Sequence, residues 1–164
     1  MSESVITVSA SVISENATMS HESTSISLYR GSLNYFTASD IIINSNVKCP
    51  SDSFGFLISH SLELSLKAYL LSTNIDETKI KKIGHSLIKA WNKCFQNGLG
   101  IEKEVPQWVV LLDAGHSNDF LFRYSKTNTG IVTASKEVQH HSLSNIIDIV
   151  GENLNLDRNG NVKT

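Results

Sequence analysis

The stretch that decides the fold is residues 53–74, SFGFLISHSLELSLKAYLLSTN. Its apolar residues recur at steps of three and four, which is the period of an α-helix, and they cover far more than one stripe of it. We predict a helix here, with Asp52 or Ser53 as its N-cap. A helix that is apolar nearly all round must be surrounded by other helices, so the stretch predicts the centre of an all-α fold.

Three polar residues interrupt this apolar helix. His60, Glu63 and Lys67 stand at i, i+3 and i+7, which puts them on one face, and Glu63 and Lys67 are in the favourable i,i+4 order. Because charges are rarely left unpaired inside a bundle, one interpretation is a half-buried ion pair that fixes helix packing. The other interpretation is that Glu63 holds a catalytic or ligand-binding cation in a polar cavity.

The rest of the chain is predicted to form further helices joined by loops. They span residues 28–46, 84–97, 107–124 and 135–153, with a polar link at 76–82. We therefore expect an up-and-down antiparallel bundle of four to five helices in residues 28–155. Residues 1–27 are rich in Ser and Thr and are expected to form a flexible or short-strand arm. The polar residues 156–164 are expected to form a loose tail.

Composition narrows the class of protein. A chain of 164 residues has room for one core, and its formal net charge of −2 argues against a generally basic nucleic-acid binder while allowing a local basic patch. No run of about 18 apolar residues exists, so no membrane partner is expected. The first residues lack the features of a signal peptide. Cys49 and Cys94 have no CxxC spacing and are expected to be thiols of a cytoplasmic protein.

Two further groups of polar residues are candidate sites. His85 stands at a predicted helix start, where it could pack against a neighbouring helix or lie beside backbone N–H groups that attract an anion. His116, Asp119 and Arg123 share a face of the predicted fourth helix. That face is either a solvated surface or a phosphate site in which Arg123 supplies a bidentate fork and Tyr124 a ring for stacking. The expected binding residues are Arg123, Tyr124, His85 and His116.

Motifs for metals and cofactors are missing. His60 and Glu63 are spaced H-x-x-E and residues 140–141 add two histidines, but no HExxH or CxxC pattern accompanies them, so no metal site is expected. The chain also lacks a Walker A loop, a GxGxxG motif and a GxSxG elbow. These absences argue against mononucleotide hydrolysis, dinucleotide redox chemistry and serine-hydrolase activity, and no cofactor is expected.

The order of LISHSLELSLKAYLLSTN, a polar link and KKIGHSL resembles the HEPN domain (higher eukaryotes and prokaryotes nucleotide-binding). In that family a Glu and an LKA triplet mark the second long helix, and a Gly-His-Asp-Leu segment opens the next. Glu63, residues 66–68 and residues 84–87 fit this pattern, with Ser86 in place of the usual Asp.

The resemblance continues at the end of the predicted fourth helix. Arg123-Tyr124 is similar to the Arg-Tyr pair that many members carry there, although Ser125 replaces the Pro that follows it. The resemblance covers roughly residues 28–124, and it implies a HEPN-like bundle that forms a homodimer.

The resembling family divides in function. Many members are metal-independent ribonucleases whose motif is an Arg followed four to six residues later by a His, paired across a dimer. None of Arg30, Arg123 and Arg158 has a His at that spacing, and His116 precedes Arg123. Other members are non-catalytic binders of nucleotide or RNA, or partners of a separate nucleotidyltransferase in toxin–antitoxin or defence systems. We expect this second branch. The alternative is a ribonuclease that uses His116, Arg123 or His85 in an atypical arrangement.

Overall fold

The structure, a computed structural model, describes residues 24–45, 48–73, 75–117, 121–122, 124 and 132–163. The helices in these ranges are α1 (Thr24–Ile43), α2 (Ser51–Ser72), α3 (Glu77–Ile83), α4 (Leu87–Gln96), α5 (Gln107–His116) and α6 (Lys136–Leu154). The described part of the chain contains no β-strand, so the prediction of an all-α fold is confirmed. None of the described helices is long and apolar enough to cross a membrane.

Helix α2 is the centre of the fold, because it packs against each of the other five described helices. Five large side chains along it have no exposed surface: Phe54, Ile58, Leu62, Leu66 and Leu70. Burying one such side chain contributes about 1.5–3 kcal/mol, so this row is a main source of stability. The predicted central helix is confirmed, but its predicted cap is wrong. The helix begins after Pro50, whose carbonyl accepts from the Phe54 N–H, and no side chain caps it.

Two predicted boundaries before and after α2 are also wrong. Helix α1 begins at Thr24 rather than at residue 28, because Ile26 already packs against the core. Residues 24–27 therefore belong to a helix, and the rest of the predicted arm, residues 1–23, lies outside the described residues. The predicted polar link contains α3, which starts at a cap formed by the Asp76 side chain and the Thr78 N–H.

Helix α5 ends at His116, well before the predicted end at residue 124. The chain returns instead, and the Phe122 N–H donates to the Gly115 carbonyl at 3.2 Å. The Phe122 ring lies so close that a Cβ on Gly115 would be 2.6 Å from it, and one on Gly55 of α2 would be 2.8 Å away. Gly115 thus packs closely against the Phe122 ring. Phe122 is buried here, whereas Leu121 is half-buried.

The tail is packed rather than loose, which corrects the prediction for residues 156–164 as far as residue 163. Asn155 adopts a left-handed conformation (φ 56°) that ends α6, and the next residue, Leu156, is buried against the core. Leu156 then forms an isolated antiparallel bridge with Val162. The Arg30 Nε of α1 donates to the Gly160 carbonyl at 3.0 Å, which ties the tail to the first helix.

Candidate functional site

Polar side chains from three parts of the fold meet at the carboxylate of Glu63 on α2. Its Oε1 accepts from Lys67 Nζ at 2.5 Å and from His85 Nδ1 at 3.1 Å. Its Oε2 accepts from His116 Nε2 at 2.5 Å, and His60 Nδ1 lies 3.9 Å away. We call these five residues the Glu63 cluster. The predicted contact between Glu63 and Lys67 is present, and two histidines that lie 22 and 53 residues further along the chain join it.

Local structure explains how each side chain arrives there. Lys67 stands one helical turn after Glu63, and His116 is the last residue of α5. His85 lies in the turn between α3 and α4, which Gly84 makes with a φ of 63°. Asp113, one turn before His116, binds the start of α4, since its Oδ1 accepts from the Leu87 N–H at 2.5 Å. The same carboxylate therefore fixes α4 to α5, and with them His85 to His116.

This role of Asp113 bears on one of the two interpretations of His85, in which backbone N–H groups at the start of α4 attract an anion. The Leu87 N–H and, at 3.4 Å, the Ile88 N–H donate to Asp113, and the Lys89 N–H donates to the Ser86 hydroxyl. The first-turn donors of the helix are thus already bound, and a carboxylate beside them repels a second anion. A phosphate near His85 must be held by side chains instead.

The electrostatics of the cluster favour an ionised Glu63. Burial would raise the pKa of Glu63, but hydrogen bonds from His116 and Lys67, together with the positive charges of both, hold this pKa well below its usual range. A carboxylate only accepts hydrogen bonds, so the geometry assigns a proton to Nε2 of His116 and to Nδ1 of His85. Glu63 therefore fixes both rings in orientation.

A chain of contacts runs from Ser59 through His116 to Glu63 and has the connectivity of a catalytic triad. Ser59 Oγ lies 3.0 Å from His116 Nδ1 and also donates to the Phe56 carbonyl at 3.1 Å. However, Ser59 has no exposed surface, and His116 has 1% of its side chain exposed. No substrate can reach this serine, so its contact with His116 is a positioning one.

The cluster also contains the donor set of a metal site. One ligand atom each from His60, Glu63 and His116 lies within 4.8 Å of the others. Two histidines and a carboxylate suit zinc and other first-row metals. The Lys67 ammonium contacts the same carboxylate, and it would repel a second cation at this distance. The charge of Glu63 is balanced by protein side chains.

Accessibility separates the predicted binding residues. The His85 side chain is 43% exposed and faces a surface depression of about 270 Å³, whereas His116 is buried and cannot contact a ligand. Tyr124 is 68% exposed. Arg123 and Asp119 lie outside the described residues. The helix on which they were predicted to share a face with His116 ends at His116.

Sequence reasoning found Glu63, Lys67, His60, His85 and His116 but not their convergence, and it missed Asp113. One signal was available, because Asp113 and His116 are spaced i, i+3 on a helix and so share a face. No family model matches the chain, and the searches of curated proteins and of solved structures also return no match. The function must therefore be argued from the site itself.

Proposed function

We propose that this chain is a HEPN-like helical bundle that binds RNA or a nucleotide without cleaving it. One observation carries the proposal. Three residues behind the resemblance are the Glu of the second long helix, the lysine of its LKA triplet and the histidine of the Gly-His segment. The lysine and the histidine both contact the carboxylate of this Glu. Glu63 Oε1 accepts from both Lys67 and His85. Convergence of residues so far apart in sequence is expected of a site rather than of chance polar positions.

The geometry suggests how such a site would contact a ligand. Glu63 holds the Nδ1 edge of the His85 ring, so the opposite Nε2 edge is turned away from the core. The depression beside it is also lined by Lys89, Ser86 and Ser117, which are donors suited to a phosphate, and by Asp113, whose carboxylate accepts from the Leu87 N–H. Arg123 and Tyr124 complete the proposed site on the strength of the resemblance, and His116 supports it from inside.

The proposal includes partners that follow from the resemblance. The chain would act in the cytoplasm as a homodimer, and in a toxin–antitoxin or defence system it would pair with a separate nucleotidyltransferase. Light scattering at micromolar concentration should give the mass of two chains. The mass of one chain would remove the homodimer from the proposal.

Titration of RNA and nucleotides at low salt tests the binding function. A labelled single-stranded RNA and ATP should bind the wild type, and His85→Ala and Arg123→Ala should each weaken binding. His141→Ala is the matched control, because His141 is exposed on α6 and lies outside the Glu63 cluster. Equal binding by all four proteins would remove both residues from the site, and no binding by the wild type would refute the function.

The orientation of His85 favours one second candidate, a metal-independent ribonuclease. A buried carboxylate that holds Nδ1–H leaves Nε2 as the basic nitrogen of a neutral ring, which is the arrangement of a general base. In this candidate Nε2 takes the proton of an RNA 2′-hydroxyl as that oxygen attacks the adjacent phosphorus; the bond from phosphorus to the 5′-oxygen breaks, the departing 5′-oxygen takes a proton from water, and a 2′,3′-cyclic phosphate is left. Cleavage that survives a chelator and disappears in His85→Ala would favour the ribonuclease. Intact RNA after incubation with the wild type would favour the binding module.

A further inference from the structure

One segment of the chain is strongly basic although the chain as a whole is not. Residues 78–101 contain five lysines and no aspartate or glutamate, in a chain whose formal net charge is −2. The segment covers most of α3, the His85 turn and all of α4. Positive charge of this density over two neighbouring helices creates a local potential that the net charge conceals.

The fold gathers four of these lysines around one groove between α3 and α4. The groove has a volume of about 290 Å³ and is lined by Lys79, Lys82, Lys89 and Lys93 together with two isoleucines. We call it the lysine groove. One of those isoleucines, Ile83, and Lys89 also line the depression that contains His85, so the two hollows adjoin. The lysine groove therefore extends the proposed binding site along the surface.

The lysines of the groove differ from Lys67, whose ammonium group contacts the Glu63 carboxylate. Within the part of the chain that the structure describes, no carboxylate forms an ion pair with any of the four. Asp76 interacts with one of them: its pKa is lowered first by hydrogen bonds from Thr78 and then by the charge of Lys79. Four exposed or half-buried ammonium groups beside one hollow repel one another, and an anion that binds among them relieves this repulsion.

We propose that the lysine groove binds the sugar–phosphate backbone of single-stranded RNA. This inference rests on the proposed function and names the part of the surface that holds the chain of phosphates. Lysine ammonium groups contact phosphates as point charges and read no sequence. None of the described residues that line the groove is aromatic, so bases have no ring to stack on. Binding should therefore depend on salt and not on base composition.

The test is the salt dependence of RNA binding by charge variants of the full chain. The variants are Lys89→Gln/Lys93→Gln and the quadruple change that adds Lys79→Gln and Lys82→Gln. For single-stranded nucleic acid, the slope of log K against log salt should lose about 0.7 for each lysine removed, or about 2.8 for all four. Lys48→Gln/Lys103→Gln is the control, because both lysines are exposed and lie outside the groove. Circular dichroism verifies that each variant is folded.

Each outcome decides a different question. A shallower slope in the groove variants, an unchanged slope in the control pair, and equal affinity for RNAs of different base composition would support the proposal. If the quadruple variant binds RNA with an unchanged slope, the lysine groove does not bind the RNA backbone, and the proposed function stays intact. No RNA binding by the wild type would overturn both. If phosphatidylserine vesicles bind the groove and RNA does not, the ligand of the groove is a membrane surface rather than RNA.

Discussion

Two ion pairs of the molecule have the same length and very different surroundings. Lys67 Nζ lies 2.5 Å from Glu63, with side chains 17% and 5% exposed, and Arg158 lies 2.5 Å from Asp148, with side chains 44% and 53% exposed. In water the attraction between such groups is largely screened, whereas a buried group left without its partner carries a large desolvation penalty. Burial, rather than distance, therefore decides how much stability is lost when one partner of an ion pair is removed.

The two pairs also serve different purposes in the fold. Glu63 accepts from groups on α2, on α5 and in the turn before α4, so its loss would disturb all three. Arg158 joins the tail to the exposed side of α6, and its Nη2 also donates to the Ser144 hydroxyl at 2.8 Å. The first pair organises the candidate site, and the second secures one end of the chain.

The largest effect is expected from Glu63→Ala. This change leaves the Lys67 ammonium and the His116 imidazole without their acceptor in a buried place, at a cost of about 3–5 kcal/mol in the free energy of unfolding. The double variant Glu63→Ala/Lys67→Ala should cost less than the single change, because it removes one of the stranded groups. Urea unfolding of the wild type, both single variants and the double variant closes the cycle. Additive effects would show that the two side chains are simply solvated.

The second-largest effect is expected from acid, which should weaken the buried ion pair between Glu63 and Lys67. The pKa of Glu63 is lowered in the folded protein, while in the unfolded chain it is near the ordinary value of about 4.3. The stability that Glu63 contributes is therefore fully present above the unfolded pKa and is lost as the pH falls toward the folded one. The stability gap between wild type and Glu63→Gln should shrink as the pH falls from about 5 to about 3. A gap that stays constant over this range would contradict the lowered pKa.

The smallest effect is expected from Asp148→Ala on the exposed side of α6. Because Arg158 and Asp148 are both about half exposed, removing their pair should cost about 1 kcal/mol or less. The loss should fall further in high salt, which screens exposed charges. Urea unfolding at low and high salt measures both. A cost as large as that of Glu63→Ala would show that exposure does not separate the two pairs.

The sequence predicted the central helix well because its signal is local. Apolar residues at helical spacing determine α2, and i,i+4 spacing alone brings Lys67 to Glu63. The signals that failed depend on contacts distant in sequence. The end of α5 is set by Phe122 returning onto Gly55 and Gly115, which no periodicity reveals. The tail looked polar, yet a single apolar residue after a left-handed Asn was enough to dock it.

In the candidate site, too, local features were predictable from the sequence and contacts between distant residues were not. The sequence identified each histidine of the cluster as a candidate site residue from its place on or beside a predicted helix. Their convergence on one carboxylate depends on how the helices pack, which the sequence does not reveal. Backbone N–H groups at the start of α4 that attract an anion were one of two interpretations of His85, and Asp113 of another helix binds those groups. Binding of RNA or a nucleotide was predicted from a resemblance to a family. The structure adds that His85 is exposed and can contact a ligand, whereas His116 is buried and cannot.

The most direct test of the Glu63 cluster is NMR of the imidazole nitrogens, before and after addition of single-stranded RNA. At neutral pH, Nδ1 of His85 and Nε2 of His116 should each carry a proton, and both signals should change in Glu63→Gln. RNA should shift the His85 nitrogens and leave those of His116 in place, because only His85 is exposed. An unprotonated Nε2 on His116, or bound RNA that leaves His85 unaffected, would contradict a buried carboxylate that holds His85 for ligand binding.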